Sequence, residues 1–324
     1  MAKKETQEIL QLNNLKDFRK QYLSFDKRLD CEGIRSSETE QVTGFFEITR
    51  LEQMALRDAK AQTFFERRNF YSIVLLTKGQ MKVQIGQETY NMKCPSLYFV
   101  AANQLHSIQK CTGDLKGYHL IFDEDYYLLC LRNQIKLSNF IFFITNTVPM
   151  LSLQQGALDT LLPLIEKMEL DYCRRTTFKD DLLVKLYLNV FLIELEKLYE
   201  FQQDKATTTQ SKTSLLVAQF QNLVKQHYIK VRQVSDYAKM LYVTPHYLND
   251  VIRTHTGTNA SSYINAQVTI GAKAMIIQTD NTFAEIAAQL LFSNPSYFSK
   301  FFKKQTGYTP LQYRQLYLNN QLID

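Results

Sequence analysis

Apolar positions along the chain change their spacing twice. Between residues 45 and 150 they come as short segments of strand character. Ile73–Leu76 is a continuous apolar run of the kind a fully buried strand carries, and Met81, Val83 and Ile85 alternate with Gln80, Lys82 and Gln84 as on a half-buried one. Gly79 and Gly86 punctuate this segment, and Leu97–Val100 and His119–Phe122 continue the series. Short strands between turn signals predict a small β-barrel or sandwich. From residue 153 the spacing becomes helical, and Leu153–Tyr172 and Phe178–Phe201 read as two long helices. The second is apolar nearly all round, through Leu182, Leu183, Val184, Leu186, Tyr187, Leu188, Val190, Phe191, Leu192, Ile193, Leu195 and Leu198. A surface helix has one apolar stripe, so this one needs two partners: both inside its own domain, or one of them on a second subunit. Residues 202–213, QQDKATTTQSKT, are polar and aperiodic, a linker composition. The first forty residues are polar and predict a helical or extended extension.

The last third contains an internal repeat. TPHYLNDVIRTHTG at 244–257 and NPSYFSKFFKKQTG at 294–307 share Pro, Tyr, Thr and Gly at an offset of fifty residues. Upstream, VSDYAKMLYV from Val234 and FAEIAAQLLF from Phe283 match through Asp236 and Glu285, Ala238 and Ala287, Leu241 and Leu290. Each unit reads as a short helix with a small Ala, a tight turn and a second helix ended by Gly, which is a helix-turn-helix. Thr244 and Asn294 are N-caps, Pro245 and Pro295 suit the first helical position, and Gly257 and Gly307 supply the left-handed stop. Leu248, Val251 and Ile252 form the inward face of one second helix, leaving His246, Asn249, Asp250 and Arg253 outward. In the other, Phe298, Phe301 and Phe302 point inward and Ser296, Ser299, Lys300 and Lys303 outward. Polar outward faces of this kind can bond base edges or phosphate. The stretch 260–278 reads as a helix bridging the units at a fixed distance, so that they enter successive major grooves about 34 Å apart.

EIAAQLLFSNPSYFSKFFKKQTGYTPLQYR (285–314) resembles the C-terminal signature of AraC/XylS-type transcriptional regulators, and 234–257 is similar to the first half of that domain. The resemblance implies a sequence-specific regulator of transcription that binds double-stranded DNA, with a homodimer and RNA polymerase as further partners. It implies base contacts at His246, Asn249, Asp250, Ser296, Ser299 and Lys300. Thr244, Tyr247, Arg253, Asn294, Tyr297, Lys303 and Lys304 complete the expected DNA-binding set, with Tyr297, Lys303 and Lys304 near phosphates. The bridging helix departs from the family, with Val268 and Ile270 where an Arg and a Glu are usual, followed by Gly271.

Phe64–Ile108 is similar to the cupin-like sensor barrels that precede this domain. Metal-holding cupins carry an H-x-H pair, a Glu and a later His, whereas this chain has Glu66, Arg68 and Ser72 at the first positions and only His106 at the last. One imidazole does not make a metal site, so no metal or cofactor is expected. Arg68, Tyr71, His106 and His119 are the candidate contacts for a small effector, with a filled barrel as the alternative. A cupin-type metal-dependent enzyme with a fused helical domain is the alternative function; no Walker loop, GxSxG elbow or HExxH motif supports a hydrolase. The expected fold is α+β: an extension (1–40), a cupin-like β-barrel (41–150), dimerisation helices (151–201), a linker (202–213) and an all-α double helix-turn-helix domain (214–324).

Composition narrows this little. The 324 residues fit two domains, and 45% apolar with 22% charged residues excludes a disordered or collagen-like chain. The distribution of charge says more: from Ser214 onward ten basic residues face five acidic ones, placing +5 of the net +6 there. One domain is thus basic and suits a polyanion. The opening MAKKETQEILQLNN has no signal-peptide core and no apolar run reaches membrane length, so a cytoplasmic protein is expected. Cys31, Cys94, Cys111, Cys130 and Cys173 form no CxxC pair, and buried free thiols are expected.

Overall fold

The computed structural model describes residues 9–12, 14–23, 44–54, 65–86, 88–128, 137, 140–143, 147–174, 178–203 and 212–321. They group into two compact units, one holding 9–203 and the other 212–321.

The first unit is built on β1 (Leu10–Leu12), α1 (Leu15–Tyr22), β2 (Phe46–Arg50), β3 (Glu66–Arg68), β4 (Tyr71–Lys78), β5 (Gln80–Ile85), β6 (Glu88–Lys93), β7 (Ser96–Val100), β8 (Leu105–Cys111) and β9 (Lys116–Phe122). α2 (Glu124–Leu128), β10 (Met150–Ser152), α3 (Gln155–Arg174) and α4 (Phe178–Gln203) follow. The strands form two five-stranded sheets, ordered β1-β3-β8-β5-β6 and β10-β7-β4-β9-β2. Side chains alternate across a strand, so the continuous apolar runs of β4, β7 and β9 serve two cores. Val74, Leu76, Tyr98, Val100 and Ile121 belong to one core together with the other sheet and α1. Ile73, Leu75, Leu97, Phe99, Leu120 and Phe122 belong to the other, against Leu161, Ile165 and Met168 of α3 and Leu188, Phe191 and Leu195 of α4. A bidentate pair from Arg50 of β2 to Glu169 of α3, at 2.7 and 2.8 Å, ties the helices to the sheet.

Two expectations are corrected here. The described part of the first forty residues is no appended extension: β1 pairs in parallel with β3, and α1, capped by Asn14, buries Leu15, Phe18 and Tyr22. That burial follows from apolar residues spaced three and four apart, a face too short to stand out in a polar segment. The thiols also differ. Cys94 is an exposed thiol and Cys111 a half-buried one, while Cys173 at the end of α3 is disulfide-bonded. Sequence spacing does not reveal a pairing that tertiary contact creates.

The second unit is helical: α5 (Lys212–His227), α6 (Val234–Met240), α7 (Pro245–Thr256), α8 (Ala260–Gln278), α9 (Phe283–Gln289), α10 (Pro295–Thr306) and α11 (Pro310–Gln321). α4 runs through Gln203 and α5 begins at Lys212, so of the expected linker only 204–211 lie outside the described residues. α8 joins two small cores, one around Phe220, Tyr237, Leu248, Ile252 and Ile264, the other around Ile276, Ile286, Phe298, Phe302 and Tyr313.

Candidate nucleic-acid interface and a buried polar cluster

The two helix-turn-helix units are α6–α7 and α9–α10. Ala238 and Ala287 are buried in the cores that the second helices also line, with Leu248 and Ile252 in one and Phe298 and Phe302 in the other. Thr244 Oγ1 accepts from the Tyr247 amide at 3.2 Å and Asn294 Oδ1 from the Tyr297 amide at 2.7 Å, satisfying one orphan donor at the start of each second helix. Gly257 and Gly307, at φ 75 and 84, end them in the left-handed region.

Leu248, Val251, Ile252, Phe298 and Phe302 are buried and Phe301 is half-buried. Opposite them, His246, Tyr247, Asp250 and Arg253 are exposed on α7, and Ser296, Tyr297, Lys300, Lys303 and Lys304 on α10. His246 Nε2 stands 3.4 Å from Asp250 Oδ2, so the acid on this face has a local partner. Asn249 and Ser299 depart from the expected faces, since both are half-buried. The Asn249 carboxamide oxygen accepts from the Ala260 amide at 3.1 Å, which makes Asn249 a cap for α8 and leaves only its NH2 for a base.

Both turns carry a large side chain in the left-handed region: Tyr242 at φ 56 and Leu291 at φ 54. Tyr242 is 96% and Leu291 61% exposed, so little burial offsets the strain. Leu291→Gly is therefore expected to stabilise the second unit by about 0.5–1 kcal/mol, read as a higher urea midpoint at unchanged slope.

α8 spans nineteen residues, about 28 Å at the α-helical rise. The departures from the family motif are structural. Val268 is buried, and Gly271 leaves room for Tyr228, whose hydroxyl oxygen lies 2.6 Å from where a Cβ at 271 would stand. Arg314 donates to the carbonyls of Ile276 at 2.9 Å and Asn281 at 2.8 Å and stacks on Phe283, closing the C-terminus of α8.

In the first unit, Arg68, His106 and His119 meet between the two sheets. Arg68 pairs with Glu66 and donates to Ser72 Oγ at 3.3 Å, with His119 Nε2 at the same distance. Ser72 Oγ lies 2.6 Å from His119 Nε2, His106 Nδ1 is 2.9 Å from Glu66 Oε1, and Tyr22 Oη donates to Glu66 Oε2 at 2.6 Å. Phe18 and Tyr22 of α1 cover the guanidinium, 5.4 and 5.3 Å from its carbon to their ring centres. Burial alone would raise the Glu66 carboxyl; Arg68, His106 and Tyr22 hold it down at about 2. Burial lowers His106 and, with Arg68, lowers His119 well below the usual imidazole value, which favours the neutral ring at both. Arg68 Nε, His106 Nε2 and His119 Nδ1 have no partner among the described residues. Tyr71 does not join them. One residue from Ser72 on β4, it points to the opposite face and packs on Phe122 and Phe143.

Among the described residues no group of three or more His, Cys, Asp or Glu could hold a metal ion, and no helix is long and apolar enough to cross a membrane. A model of the AraC-like ligand binding domain matches residues 47–189, and one of a helix-turn-helix domain matches 237–316. The chain thus carries the AraC-type pairing of a ligand-binding domain with a helix-turn-helix domain.

Its relatives include the regulatory protein PocR of Salmonella typhimurium, 31% identical over 26% of this chain and 27% of that protein. The match thus spans about a quarter of that relative. The transcriptional activator RhaR of Yersinia pestis is 19% identical over 81% of this chain and 88% of its own length. Among solved structures, ToxT of Vibrio cholerae aligns over 84% of this chain and 97% of that one at 14% identity, with a TM-score of 0.33. The residue pattern alone did not single out Tyr22 and Phe18, which reach the polar cluster from a polar segment, or Arg232 of the helical unit. For the first two the signal was present, as the spacing of Leu15, Phe18 and Tyr22 behind an Asn cap.

Proposed function

We propose that this protein binds duplex DNA with the outward faces of α7 and α10 and regulates transcription as a homodimer, with RNA polymerase as a further partner. The observation that carries the reading is the twice-repeated capped helix with an exposed polar face, in the part of the chain that holds +5 of the net +6. His246, Asp250, Ser296, Ser299, Lys300 and the Asn249 NH2 are assigned to base edges. Arg253, Tyr247, Tyr297, Lys303 and Lys304, with the helix N-termini at Thr244 and Asn294, are assigned to phosphates.

A small effector is assigned to the cluster of Arg68, His106 and His119. Arg68 is already neutralised by Glu66, so the unpaired atoms around it suit hydroxyl groups of an uncharged effector better than a carboxylate. A permanent cation among these residues also supports regulation rather than metal-dependent catalysis.

Selection of bound sequences from a random duplex pool by the full chain tests the DNA reading, and recovery of no consensus overturns it. Once an operator is known, Lys303→Ala should weaken binding to all duplexes alike and reduce the slope of log K against log salt by about one. A loss confined to one base pair would remove Lys303 from the phosphate contacts.

A further inference from the structure

We infer that Arg232 is a positioning residue that holds the two helix-turn-helix units at one separation, so that the chain accepts its two DNA sub-sites at a single spacing. This rests on the DNA-reading role proposed above for both units.

Arg232 lies in the loop between α5 and α6, ahead of the first unit, yet its side chain engages the second. Its Nη2 donates to the Leu290 carbonyl at 2.5 Å, and its guanidinium carbon stands 4.7 Å from the centre of the Phe292 ring. Leu290 is the C-terminal cap residue of α9, where a helix leaves carbonyls unsatisfied and its dipole favours a cation. Phe292 sits in the turn before α10 and packs against Tyr297, Phe298 and Phe301, with ring centres 6.0, 5.3 and 5.2 Å away. One half-buried cation ahead of the first helix-turn-helix therefore grips the turn that aims the reading helix of the second.

Besides Arg232, the two cores are joined by α8 and by Tyr228 and Ile229, which pack half-buried on the second core. The cores at the two ends of α8 share no fully buried residue, since Ala260 and Ile264 serve one and Ala272 and Ile276 the other. Tyr228, half-buried against both cores, fills the notch at Gly271 midway along it, and Arg232 follows four residues later. Loop and rod thus make a closed triangle where a rod alone would make a hinge. One inserted base pair displaces the second sub-site by about 3.4 Å and turns it by about 35°, a change that a hinged pair can follow and a braced pair cannot.

The full-length protein is tested on duplexes carrying the two sub-sites at selected spacing and with one base pair inserted between them. The wild type should lose at least about tenfold in affinity on insertion, while Arg232→Ala should bind the selected spacing more weakly and lose less than about threefold. Arg232→Lys keeps the charge without the flat stack and should fall between. If Arg232→Ala retains the wild-type ratio between the two duplexes, the inference is wrong. A second measurement needs no DNA: pulsed electron-spin distances between labels at Thr254 on α7 and Gln305 on α10 should be narrowly distributed in the wild type and broad in Arg232→Ala. Equally narrow distributions overturn the brace. A broadened distribution in a protein that binds no duplex would leave the brace standing and overturn only the DNA reading.

Discussion

Glu66→Gln should destabilise the N-terminal unit by about 3–5 kcal/mol, the cost of leaving a buried charge without its partner. Arg68 is 1% exposed, and Glu66 is the carboxylate that balances it while accepting from His106 and Tyr22. A loss of that size approaches the whole stability of an ordinary domain. Adding Arg68→Met should recover most of it, because removing both charges leaves no unpaired ion. Urea midpoints of the single and double variants decide this, and a single variant within about 1 kcal/mol of wild type would refute the pairing.

The same cluster sets a pH response. Glu66, held at about 2 when folded against about 4.3 unfolded, contributes stability that is complete above about pH 4.3 and is lost as the pH falls towards 2. His106 and His119 are also lowered by burial, so as the pH falls below about 6.5 the unfolded chain takes up protons that the folded chain resists. Stability should therefore fall with decreasing pH from about 6.5, and His119→Gln should make that fall shallower, as urea midpoints across the range would show.

Val190→Glu should convert a dimer into a monomer and weaken operator binding about a hundredfold, by removing the effective concentration that pairing supplies. α4 buries Val184, Leu188, Phe191, Leu192, Leu195 and Tyr199 against its own unit, while Leu183, Leu186, Val190 and Ile193 remain exposed at spacings of three, four and three. That is the repeat of a seam between helices, and Val190 itself is 46% exposed, too much for an inward residue of a finished core. A glutamate there meets water in the monomer and a facing apolar helix in the dimer, so it opposes pairing without unfolding the helix. Sedimentation of both proteins reads the result, and a monomeric wild type would dispose of the seam.

The amino-acid sequence by itself determined the local order of this protein. Capped helices with Pro at the first position and Gly at the end, repeated at a fixed offset, specify the helix-turn-helix pairs, because caps, φ preferences and the 3.6-residue period act within a dozen residues. The doubly buried strands and the two long helices were legible for the same reason. Tertiary structure decided what depends on meetings across the chain. Neither Glu66 nor Tyr22 announces that it will reach Arg68; parity along β3 and β4, and the addition of β1 and α1 beside them, bring them together while turning Tyr71 away. Asn249 looked like a reader by its place on the helix and became a cap only where Ala260 returned beside it. Arg232 had no signal at all, since its partners are a carbonyl and a ring nearly sixty residues away, and non-local contacts leave no period in a sequence.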